Sequence, residues 1–292
     1  MIMKETSFKD FISIQRGHDL PERKRVPGEI PVIGSNGIVG FHNLPKGLVP
    51  GITIGRSGSI GNINFLEKPY FPLNTTLYVT DFKDNHEKFV YYFLKNFEFS
   101  NFDSGSVQPT LNRNYIYTAT VKYPDVGEQK IIAEFLESFD RKIELNQKMN
   151  ETLEEMAKSL FKSWFIDFDP VRAKAEGRPT GLSKEISDLF PDSFEDSELG
   201  EIPKGWKIDK LGHHINLTKG KSYKSAELQE SDTALVTLKS FQRNGGYRED
   251  GLKEYIGSYK DEQIVSDGDL IVAFTDVTQA ADVIGKPAIV IG

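Results

Sequence analysis

From Glu128 to Phe165 the chain contains neither proline nor glycine. These are the two residues that most readily break a helix, so the run leaves room for a long uninterrupted one. Within it Ile132, Leu136, Phe139 and Ile143, then Leu153, Ala157, Leu160 and Trp164, recur in steps of four and three. Asn146 and Asn150 fill the middle of the series. That spacing is a heptad seam. Glu137/Arg141, Glu144/Lys148 and Glu154/Lys158 are favourable pairs at i,i+4. Asp125 and Glu128, just behind Pro124, have the spacing of a capping box. A helix over 127–166 is expected, a rod of roughly 60 Å at 1.5 Å per residue. Pro170 is expected to end it, because the residue before a proline resists the helical region. A seam along one side needs a partner. Packing on its own domain is one solution. The length of the series and the charged outer face favour a coiled coil, with the two asparagines fixing register at some cost in stability.

The segments on either side of the rod resemble each other. Residues 8–17, Phe-Lys-Asp-Phe-Ile-Ser-Ile-Gln-Arg-Gly, align with residues 211–220, Leu-Gly-His-His-Ile-Asn-Leu-Thr-Lys-Gly, at an offset of 203. Phe8 pairs with Leu211, Ile12 with Ile215, Ile14 with Leu217, Arg16 with Lys219 and Gly17 with Gly220. The same offset sets Val32 and Ile33 against Leu235 and Val236. Two similar modules held apart by a rod suit a ligand with two sites at a fixed separation, and duplex DNA is a natural one. The expected class is α+β. Two mixed α/β modules, with mainly antiparallel or mixed sheet, occupy 1–126 and 198–292. One long coiled-coil-type helix over 127–166 and a connector over 167–197 join them. In the first module short β-branched runs such as Ile52–Gly55 and Thr76–Thr80 alternate with turn residues. His86–Phe97 reads as a short helix with a broad apolar face.

A net charge of −7 at first argues against nucleic acid. The acid is unevenly placed. Residues 1–126 hold 14 Lys and Arg against 12 Asp and Glu, whereas residues 127–200 hold 10 against 17. The first module is therefore mildly basic, which is compatible with a local phosphate-binding face. With no cysteine there is neither a disulfide framework nor a thiolate metal site. No apolar run approaches the ~18–20 residues of a membrane span. The first residues carry no signal-peptide core, so the cytoplasm is the default location. No Gly-x-x-x-x-Gly-Lys-[Ser/Thr] loop is present, and ATP hydrolysis is not expected. Gly55–Gly61 reads as a turn in preference to an anion nest. None of His18, His42, His86, His213 and His214 stands at i,i+4 from another on a helix, so no metal is expected. The adjacent His213 and His214 are expected on opposite faces of a strand. No catalytic constellation emerges, and neither enzymatic activity nor a cofactor is expected of this chain.

Four motifs follow in order. They are Ser104-Gly-Ser-Val-Gln-Pro-Thr-Leu111 before a strand ending at Tyr123-Pro124; Glu128-Gln129-Lys-Ile-Ile-Ala133; Leu160-Phe-Lys-Ser-Trp-Phe-Ile-Asp-Phe-Asp-Pro-Val171; and Leu189-Phe-Pro-Asp-Ser-Phe194 through Leu199-Gly-Glu-Ile-Pro-Lys-Gly-Trp206. In this order and spacing the chain resembles the specificity subunit of type I restriction-modification enzymes. The resemblance covers most of the chain. It implies two target-recognition domains, each reading one half of a split DNA sequence. It further implies two antiparallel spacer helices that set the separation and dock two methyltransferase subunits, and through them the restriction subunits. Methylation and cleavage then belong to those partners, and the Asn/Asp-Pro-Pro-Tyr/Phe loop of amino-methyltransferases is absent here. The chain departs from the pattern at its end. A second spacer helix at the offset of 203 falls beyond Gly292, so the second module reads as incomplete and the chain as truncated within it. Residues Gly285–Gly292 are reminiscent of the region around Gly61. A second copy of the chain is one candidate to cover the seam, so self-association through the helix is a further expectation.

Sequence is read at base edges, where Arg and Lys suit guanine, Asn and Gln suit adenine, and Ser and Thr are permissive. In the first module the candidates for DNA contact are Arg16, Arg23, Lys24, Arg25, Ser35, Asn36, Arg56, Ser57, Ser59, Gln108, Arg113 and Asn114. In the second they are Lys219, Lys221, Lys224, Lys239, Arg243 and Arg248. The subunit-interface candidates are Ile132, Leu136, Phe139, Ile143, Leu153, Leu160 and Trp164. The expected function is a non-catalytic, sequence-specific subunit that binds double-stranded DNA and sets the target for methyltransferase and restriction partners. The alternative is a scaffold or regulatory fragment that binds the methyltransferase, or itself, without reading DNA.

Overall fold

The computed structural model of the chain describes residues 3–103, 109–242, 245–276 and 281–291. The chain divides into two units, residues 1–168 and 169–292. The first unit runs β1 (Lys4–Ser7), α1 (Phe8–Phe11), β2 (Ser13–Arg16), β3 (Ile30–Gly34), β4 (Gly37–His42), β5 (Gly51–Gly55), β6 (Ile63–Leu66), β7 (Phe71–Pro72) and β8 (Thr76–Asp81). Then come α2 (Glu87–Lys95), α3 (Arg113–Ile116), β9 (Thr120–Tyr123) and α4 (Val126–Phe165).

An antiparallel sheet in the order β2-β8-β5-β6 forms the body of this unit. A smaller sheet, β4-β3-β7, contains one parallel pair, β3 with β7. The core follows from strand alternation. Ile14, Ile52, Ile54, Leu77 and Val79 are buried together with Phe8 and Phe11 of α1 and Val90 and Leu94 of α2. Phe11 meets Phe93 with ring centroids 4.8 Å apart, and Phe8 meets Phe97 at 5.1 Å. The edge strand β2 is tied down by Tyr117, whose hydroxyl accepts from Ile14 N–H at 2.9 Å and donates to the Ile14 carbonyl at 2.8 Å.

The long helix is present almost as read from the sequence, over 126–165 against an expected 127–166. Its cap is one-sided. Asp125 Oδ1 accepts from Gly127 and Glu128 N–H, while Glu128 Oε2 is buried with no hydrogen-bond partner among the described residues. The first turns lie on the body of the unit through buried Gln129 and Ala133 and half-buried Ile132. From Ser138 to Lys162 every residue is exposed. Pro170 does not end α4, contrary to expectation. The helix closes at Phe165 with Ile166 as its cap, Phe168 takes a left-handed φ of 56°, and Pro170 sits in the first turn of α5 (Asp169–Ala175). There its fixed φ and missing N–H are tolerated.

The second unit continues with α6 (Lys184–Ser187) and three antiparallel pairs. These are β10 (Phe194–Ser197) with β11 (Gly200–Pro203), β12 (Ala234–Leu235) with β13 (Lys253–Glu254), and β14 (Leu270–Val272) with β15 (Pro287–Ile289). Phe241, Ala273, Val283 and Ala288 form a small core. The repeat survives locally, since a 3-10 turn at Leu211–His213 stands where the first copy has α1. Its packing differs. Phe8 and Ile12 are 0% exposed, but Leu211 and Ile215 are 70% and 48% exposed. In the first unit β8 pairs with β2 and the sheet and α2 cover these positions. Among the described residues no strand pairs with 211–220. His213 and His214 do not point apart as expected of a strand. Both turn onto Asp209, at 2.6 and 3.0 Å. The Lys210 N–H and His213 hold that carboxyl below the usual range.

Candidate nucleic-acid interface

The sheet order determines where charge gathers. Strand β2 lies beside β8 and β8 beside β5, so the end of β2 and the residue leaving β5 come together. Arg16 Nε and Arg56 Nη1 both donate to the Asn74 carbonyl, at 3.4 and 3.5 Å. Arg113, at the start of α3, donates from Nη1 to the Ile14 carbonyl at 3.5 Å, and its guanidinium stands 5.8 Å from the Tyr117 ring centroid. These three cations line an open cleft of about 620 Å³, together with Gln15, Asn112 and Asn114. Asp19 is the one carboxylate among the described lining residues. It accepts from the Asn74 side-chain amide and lies 3.8 Å from Arg16.

Burial and the neighbouring Arg16 charge push the Arg56 guanidinium below its ordinary range. An arginine stays protonated under such a shift, so the cleft remains cationic at neutral pH. His18 also lines it, 3.3 Å from the Tyr78 hydroxyl. Burial, and then the Lys46 charge, hold its imidazole below the usual value, so it adds no positive charge at neutral pH. A positively charged cleft of this kind favours anions, and Gln15, Asn112 and Asn114 add carboxamides to its lining.

Of the residues singled out in the first module, the cleft brings together Arg16, Arg56, Arg113 and Asn114. Ser35 and Asn36 form the turn between β3 and β4, where the Ser35 hydroxyl is spent on the carbonyls of Ser57 and Thr75, at 2.6 and 3.2 Å. Ser57 and Ser59 follow β5 outside the cleft lining. Arg25 donates to the Val39 carbonyl at 2.7 Å, and Arg23 and Lys24 are exposed in a 3-10 turn outside the cleft lining. Gln108 and Arg243 lie outside the described residues. Gln15 and Asn112 were missed. The signal for Gln15 was its place directly before the Arg-Gly of the repeat.

The second unit has a smaller depression, about 290 Å³, at the same repeat position. Thr218, Lys219 and Gly220 face Lys260 and Gln263 there. The Gln263 amide donates to the Lys219 carbonyl at 3.0 Å. Lys221, Lys224 and Lys239 are exposed, and Arg248 is paired with Asp250 at 2.6 and 3.0 Å.

Along α4, Ile132 and Leu136 are half-buried and line, with Phe89 and Phe93 of α2, an apolar groove of about 430 Å³. Phe139, Ile143, Leu153 and Leu160 are each about half exposed or more, and Trp164 is half-buried. Ile131, Phe135, Leu145, Met149 and Met156 form a second exposed apolar stripe one residue ahead of the seam.

The first unit is thus an α+β body with a cationic cleft, continued by a long helix with open apolar stripes. Residues 3–155 match the family described as the type I restriction modification DNA specificity domain. The chain belongs to this family of type I restriction-modification specificity subunits. It is 43% identical over 81 residues to the HindI specificity subunit of Haemophilus influenzae, a stretch covering 28% of this chain and 18% of that one. It is 32% identical over 145 residues to the MjaIX specificity subunit of Methanocaldococcus jannaschii, covering 48% and 30%. The matched stretches thus span less than a third of these relatives. The type I restriction-modification S subunit from M. genitalium shares the fold, with a TM-score of 0.50 at 15% identity over 92% of this chain and 64% of that one. Among the described residues no helix is long and apolar enough to cross a membrane. Nor does any group of three His, Cys, Asp or Glu suit a metal ion among them.

Proposed function

We propose that the chain is the non-catalytic, DNA-reading subunit of a type I restriction-modification complex in the cytoplasm. The first unit binds duplex DNA through the cleft of Arg16, Arg56 and Arg113. The second unit contributes through Lys219 and the exposed lysines near it. The long helix docks methyltransferase subunits, and through them restriction subunits, along Phe139, Ile143, Leu153 and Leu160. A second copy of the chain is a further occupant of the same seam. Catalysis then lies in the partners, and this chain holds no cofactor.

The observation that carries the proposal is the convergence of three guanidinium groups on a body that passes directly into α4. A scaffold that docks the methyltransferase without reading DNA draws on the same helix. The exposure of Leu211 and Ile215 favours it for the second unit. Methylome sequencing of cells expressing the chain with its methyltransferase separates the two. A reader gives one methylated motif, split, palindromic or half-length. Unchanged methylation, or methylation without a motif, leaves the scaffold.

A further inference from the structure

The cleft holds two kinds of polar group. The arginines are engaged: Arg16 and Arg56 share the Asn74 carbonyl, and Arg113 donates to Ile14. The side-chain amides of Gln15 and Asn114 are exposed, line the same cleft and bond to no other group among the described residues. Each carries a donor and an acceptor side by side, the pair that matches adenine N7 and N6 in the major groove.

The internal repeat supplies an independent comparison. Position 16 keeps its charge in the second copy, as Lys219, and Gly17 is kept as Gly220. The position before them is not kept, since Gln15 becomes Thr218, which lines the corresponding depression. A contact to phosphate demands the same charge in both copies whatever the sequence read. A contact to a base edge is free to differ between two copies that read different half-sites.

We infer that Gln15 and Asn114 read base edges, adenine before others, while Arg16 and its equivalent Lys219 hold phosphates and set register. This rests on the DNA-reading proposal and adds which residues carry specificity. The second copy, with threonine at the reading position, selects a different half-site.

The test is selection of random duplexes by the full chain, followed by binding of the selected duplex and its single-base variants over a range of salt. Wild type yields a motif containing adenine. Gln15→Ala and Asn114→Ala each lower discrimination at one adenine position by about ten-fold and leave affinity for unrelated duplexes unchanged. Gln15→Glu moves the preference at its position toward cytosine, whose amino group a carboxylate accepts. Loss of packing does not produce such a shift. Arg16→Ala weakens all duplexes alike and reduces the salt slope by about 0.9. Circular dichroism confirms that each variant folds. The inference is overturned if the carboxamide variants keep the wild-type motif, or weaken every duplex equally. If wild type binds no duplex in a salt-dependent way, the DNA-reading proposal itself fails, and the assignment falls with it.

Discussion

The side-chain nitrogen of Gln129 donates to Asn85 Oδ1 over 2.8 Å, and both groups are buried. Gln129 also accepts from His86 N–H at 2.9 Å and donates to the Pro124 carbonyl at 3.0 Å. Asn85 in turn donates to the Phe11 carbonyl at 2.8 Å. One carboxamide pair therefore couples the first turn of α4 to α1 and to the start of α2. Gln129→Ala strands two buried acceptors and a half-buried N–H, and is expected to destabilise the first unit by about 3 kcal/mol. Chemical denaturation measures this. A loss within experimental error means that the network is not what fixes the helix to the body.

Gly17 and its repeat partner Gly220 are expected to respond differently to the same change. A methyl group at Gly17 runs into the Leu73 carbonyl, whereas Gly220 has open space around it. Gly17→Ala is expected to lower stability by about 1–3 kcal/mol. Gly220→Ala should stay within about 0.5 kcal/mol. Thermal melts of the two variants side by side check the contrast, and equal effects contradict it.

Leu153 and Leu160 are exposed on α4 at 57% and 49%. Leu153→Asp with Leu160→Asp should therefore leave folding of the chain unchanged and abolish assembly along the seam. Light scattering with the methyltransferase present reads the outcome. An unchanged mass of the complex rules these positions out of the interface.

His18 should titrate below its ordinary value of 6.5, because burial and Lys46 disfavour the imidazolium. The unfolded chain binds that proton more readily. The stability His18 contributes is therefore fully present above about pH 6.5 and is lost as pH falls through the folded value. A proton NMR titration of its ring settles the direction, and a midpoint at or above 6.5 contradicts it. His18→Gln should flatten the acid limb of the stability profile.

The long helix was legible because its signals are local. A proline-free, glycine-free run, heptad spacing and an Asp at the cap all lie within forty consecutive residues, and the helix forms within one residue of the expected bounds. The cleft was legible only in part. Arg16 and Arg56 are distant in sequence and meet because β8 lies between β2 and β5, and Arg113 joins them from α3 by reaching the Ile14 carbonyl, which no local pattern encodes. Residue type alone placed Ser35 and Arg25 with them, although neither lines the cleft. Gln15 stands directly before the Arg-Gly of the repeat, but that position marks it out only once the charged neighbours brought by the sheet are known. Pro170 was misplaced for a related reason. A proline marks a boundary, and here it opens the next helix.

Under the proposed docking along α4, the open apolar stripes would tie the abundance of this chain to that of its partner. Bare apolar surface of such length is what chaperones bind and quality-control proteases attack. Copies made in excess of their partner should have short lifetimes, which a pulse-chase comparison with and without the partner would reveal. Stoichiometry in the cell would then be enforced by turnover.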